Sequence, residues 1–207
     1  FGFQLEIFKN LLMNNLANKI VEVFENKIIP MTQDGVNLGN KIFGAAILNK
    51  KDFSLVIAGT NNEIENPLWH GEVHTLKKYY ELPEKRRPNE KECIFISSHE
   101  PCSMCLSAIT FAGFDNFYYL YPYDATLNDF NIPHDLKILK EVFNVEKGEY
   151  NKSNYYWKCE SILNLVNNLP DEDSKSLLIS LTKIKKNYNE LSKLYQSKKL
   201  KNNIPLK

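Results

Sequence analysis

Cys102 and Cys105 stand three positions apart, directly behind Pro101, in a chain with four cysteines. On the first turn of a helix, residues i and i+3 share a face, and side chains tilt toward the N-terminus. Both sulfurs would then converge on the open helix end, whose partial positive charge favours thiolate over thiol. Such a pair serves either a metal ion or redox exchange. A structural zinc site needs two more ligands. Cys93, inside a strand candidate, and Cys159, beside an apolar helix candidate, are poorly placed to supply them. A catalytic zinc needs one further protein ligand and a water. The histidines are His70, His74, His99 and His134, and His70 opens a helix candidate with Glu72 two positions on. His70 and His74 would share a helix face, but the zinc-peptidase pattern requires Glu directly after the first His, and position 71 is Gly. His74 is expected on the helix surface or core edge, and His99 in a loop. His134, beside Asp135, reads as a cap neighbour or a pocket residue.

The elements that must hold these groups are legible from periodicity. Residues 5–26 carry apolar side chains at three and four spacing, which predicts an amphipathic helix. Residues 41–50 and 53–59 predict two strands joined as a hairpin. A polar loop (60–69), a helix (70–82) and a solvated loop (83–92) follow. Residues 93–98 read as a buried strand, and 101–113 as a helix with Pro at its first position and Gly at its end. A further strand covers 116–122, its aromatic run 117–123 expected in the core rather than as a stacking platform for bases, and a helix covers 133–143. Strands alternating with helices predict an α/β sheet covered on both faces, with parallel crossovers in its second half. The helices bearing the motifs follow strands, so their N-termini open at the carboxyl edge of the sheet, the usual ligand side.

At 207 residues, 43% hydrophobic, 25% charged and with net charge +1, the chain reads as an ordinary soluble globular protein. No apolar run is long enough to span a membrane. The first residues lack a secretory pattern, and so few cysteines suit a reducing compartment, so a cytoplasmic location is expected. A targeting segment upstream of Phe1 stays open. Residues 1–149 are expected to form one domain and residues 150–207 a helical extension. Behind Pro170 and “DEDS”, Leu177, Leu181, Ile184, Tyr188, Leu191 and Tyr195 make a heptad-like stripe. It is expected to dock on the core, with a partner helix as the alternative. Residues 183–207 hold eight lysines and one acid, Glu190. Such a run is a solvated face or a basic arm for an RNA backbone.

“HGE” at 70–72 and “PCSMC” at 101–105 together resemble the H-x-E…P-C-x-x-C signature of the cytidine/deoxycytidylate deaminase superfamily. The resemblance covers about residues 8–145. It implies a three-layer α-β-α cytidine-deaminase-like fold, with helices on both faces of a mixed sheet of about five strands. It implies one Zn²⁺ per chain on His70, Cys102 and Cys105, with water in the fourth place. Glu72 would not ligate; it would shuttle protons while the activated water adds to an amino-bearing ring carbon and ammonia leaves. One tension is that i and i+2 do not share a helix face, so His70 and Glu72 must both lie in the first turn. “SSHEPCSMCLSAITFAGFDNFYY” and “GTNNEIENPLWHGE” resemble the branch holding bacterial guanine deaminase and the tRNA adenosine deaminases. By that resemblance Asn61, or its neighbour Asn62, reads the purine edge, and the backbone at Gly71 helps hold the base.

Three features depart from the family pattern. Gly71 replaces a usual Ala. Leu68 and Trp69 are large where small residues are usual, and Trp69 is expected to narrow the pocket. “DATLNDFNIPHD” has no Gly, which favours a small free substrate over tRNA. The resemblance therefore implies a guanine-deaminase-like enzyme acting on a purine nucleobase or nucleoside, as a homodimer away from membranes. A tRNA adenosine deaminase, or a subunit of one, using the C-terminal lysines is the second reading. A non-enzymatic zinc protein is the third.

Overall fold

The computed structural model describes residues 2–207. The chain opens with α1 (Gly2–Val23), passes through one wide π-turn (Phe24–Ile28), and continues into α2 (Ile29–Asn37). The helical run thus outlasts the predicted end at 26. Pro30 cannot donate to the preceding turn, and the wide turn gives its ring room inside the continuous helical run. Only the second half of α1 packs: Leu16, Ala17, Ile20 and Val21 are buried, whereas Leu5, Ile7, Phe8 and Leu11 are exposed.

The hairpin of β1 (Gly44–Asn49) and β2 (Leu55–Thr60) follows, then α3 (Gly71–Tyr80), β3 (Cys93–His99), α4 (Ser103–Ala112) and β4 (Asn116–Tyr121). After these come α5 (Tyr123–Asn128), α6 (His134–Phe143), β5 (Lys158–Ser161), α7 (Ile162–Asn167) and the long α8 (Asp171–Lys198). The sheet order is β2-β1-β3-β4-β5. β1 runs antiparallel to both neighbours, and β3, β4 and β5 are parallel. This is the α/β cytidine-deaminase-like architecture with five strands. The fifth strand comes from the stretch read as the C-terminal extension, so that extension completes the sheet as well as adding helices.

Side chains alternate across the sheet with period two. Ala46, Leu48, Ile94, Ile96 and Leu120 face a core shared with α1, α2 and α8. Ala45, Ile47, Cys93, Phe95, Phe117 and Tyr119 face a second core built with α3 and α4. Every residue of β3 is buried, as expected of a central strand covered on both sides. The stripe Leu177, Leu181, Ile184, Tyr188, Leu191 and Tyr195 is entirely buried, and α8 packs on α2 and α1. His99 ends β3 and is 1% exposed, enclosed by the rings of Phe43, Tyr121, Phe130 and Tyr188. The expected loop position for His99 is corrected: the strand runs one residue further and turns its imidazole into the α8-side core.

Candidate active site

The site forms where two strand-to-helix junctions open at the same sheet edge. His70 is the N-cap of α3 (φ −59°, ψ 161°), and Cys102 is the N-cap of α4 (φ −62°, ψ 169°). Both have extended backbone, so both side chains fold back over an open helix end. Pro101 therefore lies just outside α4 rather than at its first position, and of the two cysteines only Cys105 lies inside the helix. The i, i+2 tension dissolves for the same reason. His70 precedes the helix, so it owes nothing to helical spacing, and Glu72 occupies the second helical position. Gly71 permits this arrangement. A Cβ there would lie 2.7 Å from the Phe43 carbonyl oxygen and 2.9 Å from the Gly44 nitrogen. The start of α3 abuts the backbone entering β1 too closely for the family's Ala.

The junctions are tied down by buried bonds. Asn61 N–H donates to Phe43 O at 2.7 Å, and Asn62 N–H to Trp69 O at 2.8 Å, closing the loop before His70. The buried Glu100 carboxylate accepts from Lys152 Nζ (2.8 Å), Tyr150 OH (2.9 Å) and Tyr123 N–H (3.2 Å). These bonds anchor the turn before Cys102 to the segment that leads into β5.

One ligand atom each from His70, Cys102 and Cys105 lies within 4.8 Å of the others. His70 Nδ1 is 3.4 Å from Cys102 Sγ. Two sulfurs and one imidazole nitrogen are a zinc donor set, and tetrahedral coordination would set such an N···S pair roughly 3.6 Å apart. The three residues fit the ion. Burial opposes charge on His70, but the adjacent Cys102 sulfur and Glu63 carboxylate win and raise the ring to about 10. A hydrogen bond from Cys105, then the His70 charge, holds Cys102 well below the ordinary thiol range. Burial pushes Cys105 well above it, aided by the Cys102 charge.

Glu72 is 4% exposed. Its Oε2 accepts from Cys105 Sγ at 3.2 Å, and its Oε1 lies 2.6 Å from Ser97 Oγ. Burial, then the charge on Cys102, raises its carboxyl. Ser97 Oγ is also 2.5 Å from His99 O. One hydroxyl proton cannot serve both acceptors. The hydroxyl lies between the two, and it ties the Glu72 carboxyl to the end of β3.

A cavity of about 260 Å³ opens over His70 and Cys102. Phe43, Leu68, Met104, Ile132, Ile138 and Leu206 give it apolar walls, and Lys41, Glu63, Ser103, His134 and Asp135 give it polar ones. His134 is thus a pocket residue, and its Nε2 meets Lys207 O at 2.8 Å. Trp69 does not narrow the pocket. It stacks on His74 at 5.6 Å beneath the Lys77 ammonium, and Leu68 takes the wall instead.

Asn61 does not present its amide to the cavity. Its Nδ2 donates to Glu63 Oε2 at 2.7 Å, and its Oδ1 accepts from the N–H groups of Glu63 (3.2 Å) and Lys41 (3.3 Å). The neighbour Asn62 bonds Glu65 at the surface. Four polar lining groups escaped the sequence reading: Lys41, Glu63, Ser103 and Asp135. Burial, then the Cys102 charge, pushes the Asp135 carboxyl up to about 8. Burial also opposes charge on Glu63, but bonds from His70 and the charge of Lys41 hold it below its ordinary value. A lysine opening the otherwise apolar run “KIFGAAIL” was the available signal.

Residues 19–121 match the family described as the cytidine and deoxycytidylate deaminase zinc-binding region. A guanine deaminase of Bacillus subtilis (strain 168) is 34% identical over 94 residues, which are 44% of this chain and 58% of that protein. The chain thus spans little more than half the length of this curated relative. Among solved structures, a variant of NE0047 in complex with 8-azaguanine superposes with a TM-score of 0.50 at 16% identity, over 82% of this chain and 84% of that one. The Bacillus subtilis guanine deaminase structure gives 0.48 at 26% identity, over 65% and 83%. The NE0047 likeness shows the shared fold.

Proposed function

Residues 19–121 belong to the cytidine and deoxycytidylate deaminase zinc-binding family, and we propose on that premise that the chain is a zinc-dependent hydrolytic deaminase of a purine nucleobase. The observation that carries this is the convergence of His70, Cys102 and Cys105 within 4.8 Å beside a buried carboxyl that is not one of them, Glu72. Zinc held by those three residues supplies an activated water, whose pKa it can lower from 15.7 to roughly 7. The chain's own residues do the rest. Glu72 moves protons, first from the water to a ring nitrogen, then to the departing amino group. Ser97 holds its Oε1, leaving Oε2 toward the metal ligands.

Phe43 and Leu68 give a flat ring apolar surface to lie on, and Met104 and Ile138 exclude water around it. Asp135 offers the polar atoms that a purine edge requires. Asn61 acts from behind by fixing Glu63, and Gly71, packed against the Phe43 and Gly44 backbone, sets the start of α3 rather than lining the cavity. The Bacillus subtilis relative is a guanine deaminase, which supports a guanine-type base as the substrate. At about 260 Å³, with Pro205 and Leu206 at its mouth, the cavity suits a free base.

The test is zinc content together with ammonia release from guanine, guanosine, adenosine, cytosine, cytidine and deoxycytidylate. Turnover of guanine with one zinc per chain is expected. A full zinc site with no ammonia from any of them overturns the reading. One observation favours tRNA as the substrate: Lys183, Lys186, Lys193 and Lys201 are exposed along the C-terminal helix and its end. That reading requires tight, steeply salt-dependent tRNA binding that falls when these four become Gln. Deleting residues 183–207 would not test it, because the deletion removes buried Ile184, Tyr188, Leu191 and Tyr195.

A further inference from the structure

Lys41 and Glu63 form an ion pair at 2.9 Å with side chains only 4% and 3% exposed. No other ion pair among the described residues hides both partners so fully. Removing two charges from water costs several kcal/mol per ion, and their mutual attraction often fails to return it as stability. A reason other than stability is therefore worth seeking in what the pair touches.

Glu63 Oε2 is taken by Asn61 Nδ2 at 2.7 Å. Its Oε1, which accepts from Lys41, lies 3.6 Å from His70 Nε2. The other ring nitrogen of His70, Nδ1, faces Cys102 Sγ. An imidazole that offers Nδ1 to a metal must carry its proton on Nε2, and the acceptor facing Nε2 is Glu63.

We infer that Glu63 is a positioning residue for the metal centre. Its carboxylate stands opposite Nε2 of His70 at 3.6 Å and favours the tautomer and ring orientation that turn Nδ1 toward the ion. Lys41 holds the same carboxylate oxygen from the other side, and Asn61 locks its direction by bonding both the carboxylate and the backbone of 41 and 63. The inference rests on the zinc site proposed above and assigns it a built-in support from the loop before α3.

The experiment uses the full chain and compares it with Glu63→Gln/Lys41→Met, which removes both charges at near-constant volume. Zinc affinity is measured by chelator competition, and folding of the metal-free proteins by circular dichroism and melting temperature. The expected result is a 10–100-fold loss of zinc affinity with a melting temperature equal to or above that of the parent. Unchanged affinity, with or without a shift in melting temperature, overturns the inference and leaves the pair a packing feature. Should the double variant fail to fold, Glu63→Asp is read the same way. It keeps the charge beside Lys41 and withdraws the acceptor from His70 by one methylene. If the parent chain binds no zinc, the deaminase reading itself falls, and that outcome is distinct from unchanged affinity in the variants.

Discussion

Glu72 and Gly71 are adjacent, and opposite physics governs them. Glu72 is a buried carboxyl held at its Oε1 by the Ser97 hydroxyl. Replacing it with Ala should leave zinc bound and lower kcat by at least the roughly 10²–10⁴-fold typical of lost acid–base catalysis. Zinc content and turnover on the same sample check this. Turnover near the parent's level would remove Glu72 from the mechanism. Gly71 matters for the space it leaves open. Gly71→Ala pushes a methyl group against the Phe43 and Gly44 backbone, and the overpacking should cost about 1–3 kcal/mol. Thermal unfolding of the metal-free chain should show the loss, and zinc affinity should fall with it because His70 caps the same helix turn. The family's usual residue is thus expected to be harmful here, which a sequence comparison would not anticipate.

The decisive events at the scale of elements are two helix starts and one long helix. α3 and α4 each begin with a residue of extended backbone whose side chain closes over the helix end, so the ligands come from caps and a first turn rather than from helix interiors. Such a site depends on the strands feeding it, and β3 between the two junctions is buried throughout. α8 supports the opposite face. Ile184 is wholly buried beneath the sheet, and Ile184→Ala should cost about 2–5 kcal/mol by leaving a cavity. Lys183→Gln, one position away and exposed, should change stability by less than about 0.5 kcal/mol. Paired denaturation curves on the two variants decide whether α8 is part of the cooperative core. Equal small effects would mean that it is an appendage.

Over the whole molecule, the metal ligands stand at the rim of a sheet already packed on both faces, with one core toward α8 and one toward α3 and α4. The protein should therefore keep its fold when stripped of zinc, unlike a small zinc finger. After chelation the far-ultraviolet spectrum is expected to be unchanged. The melting temperature should drop only by the binding linkage, recovering as zinc is added back. Unfolding on chelation would mean that the ion, rather than burial, holds the two junctions together.

The spacing of “PCSMC” narrowed the pair to a metal or redox site, the family resemblance carried by “HGE” and “PCSMC” pointed to His70, Cys102, Cys105 and Glu72, and hydrophobic period pointed to the α/β class, because motifs and periods are local properties of a chain. The heptad-like stripe of α8 was equally readable. The polar lining was not. Lys41 and Glu63 are far apart in the chain and look solvated one at a time, and only packing buries them against each other and His70. The family resemblance puts Asn61 at the purine edge, but its amide is spent on Glu63 two positions on. Trp69 and Leu68 are neighbours with opposite fates, since the loop's closing bond at Asn62 turns one toward His74 and the other over the pocket. Which of two adjacent side chains faces a site depends on long-range backbone closure, and that information is spread over the fold rather than written in any short stretch.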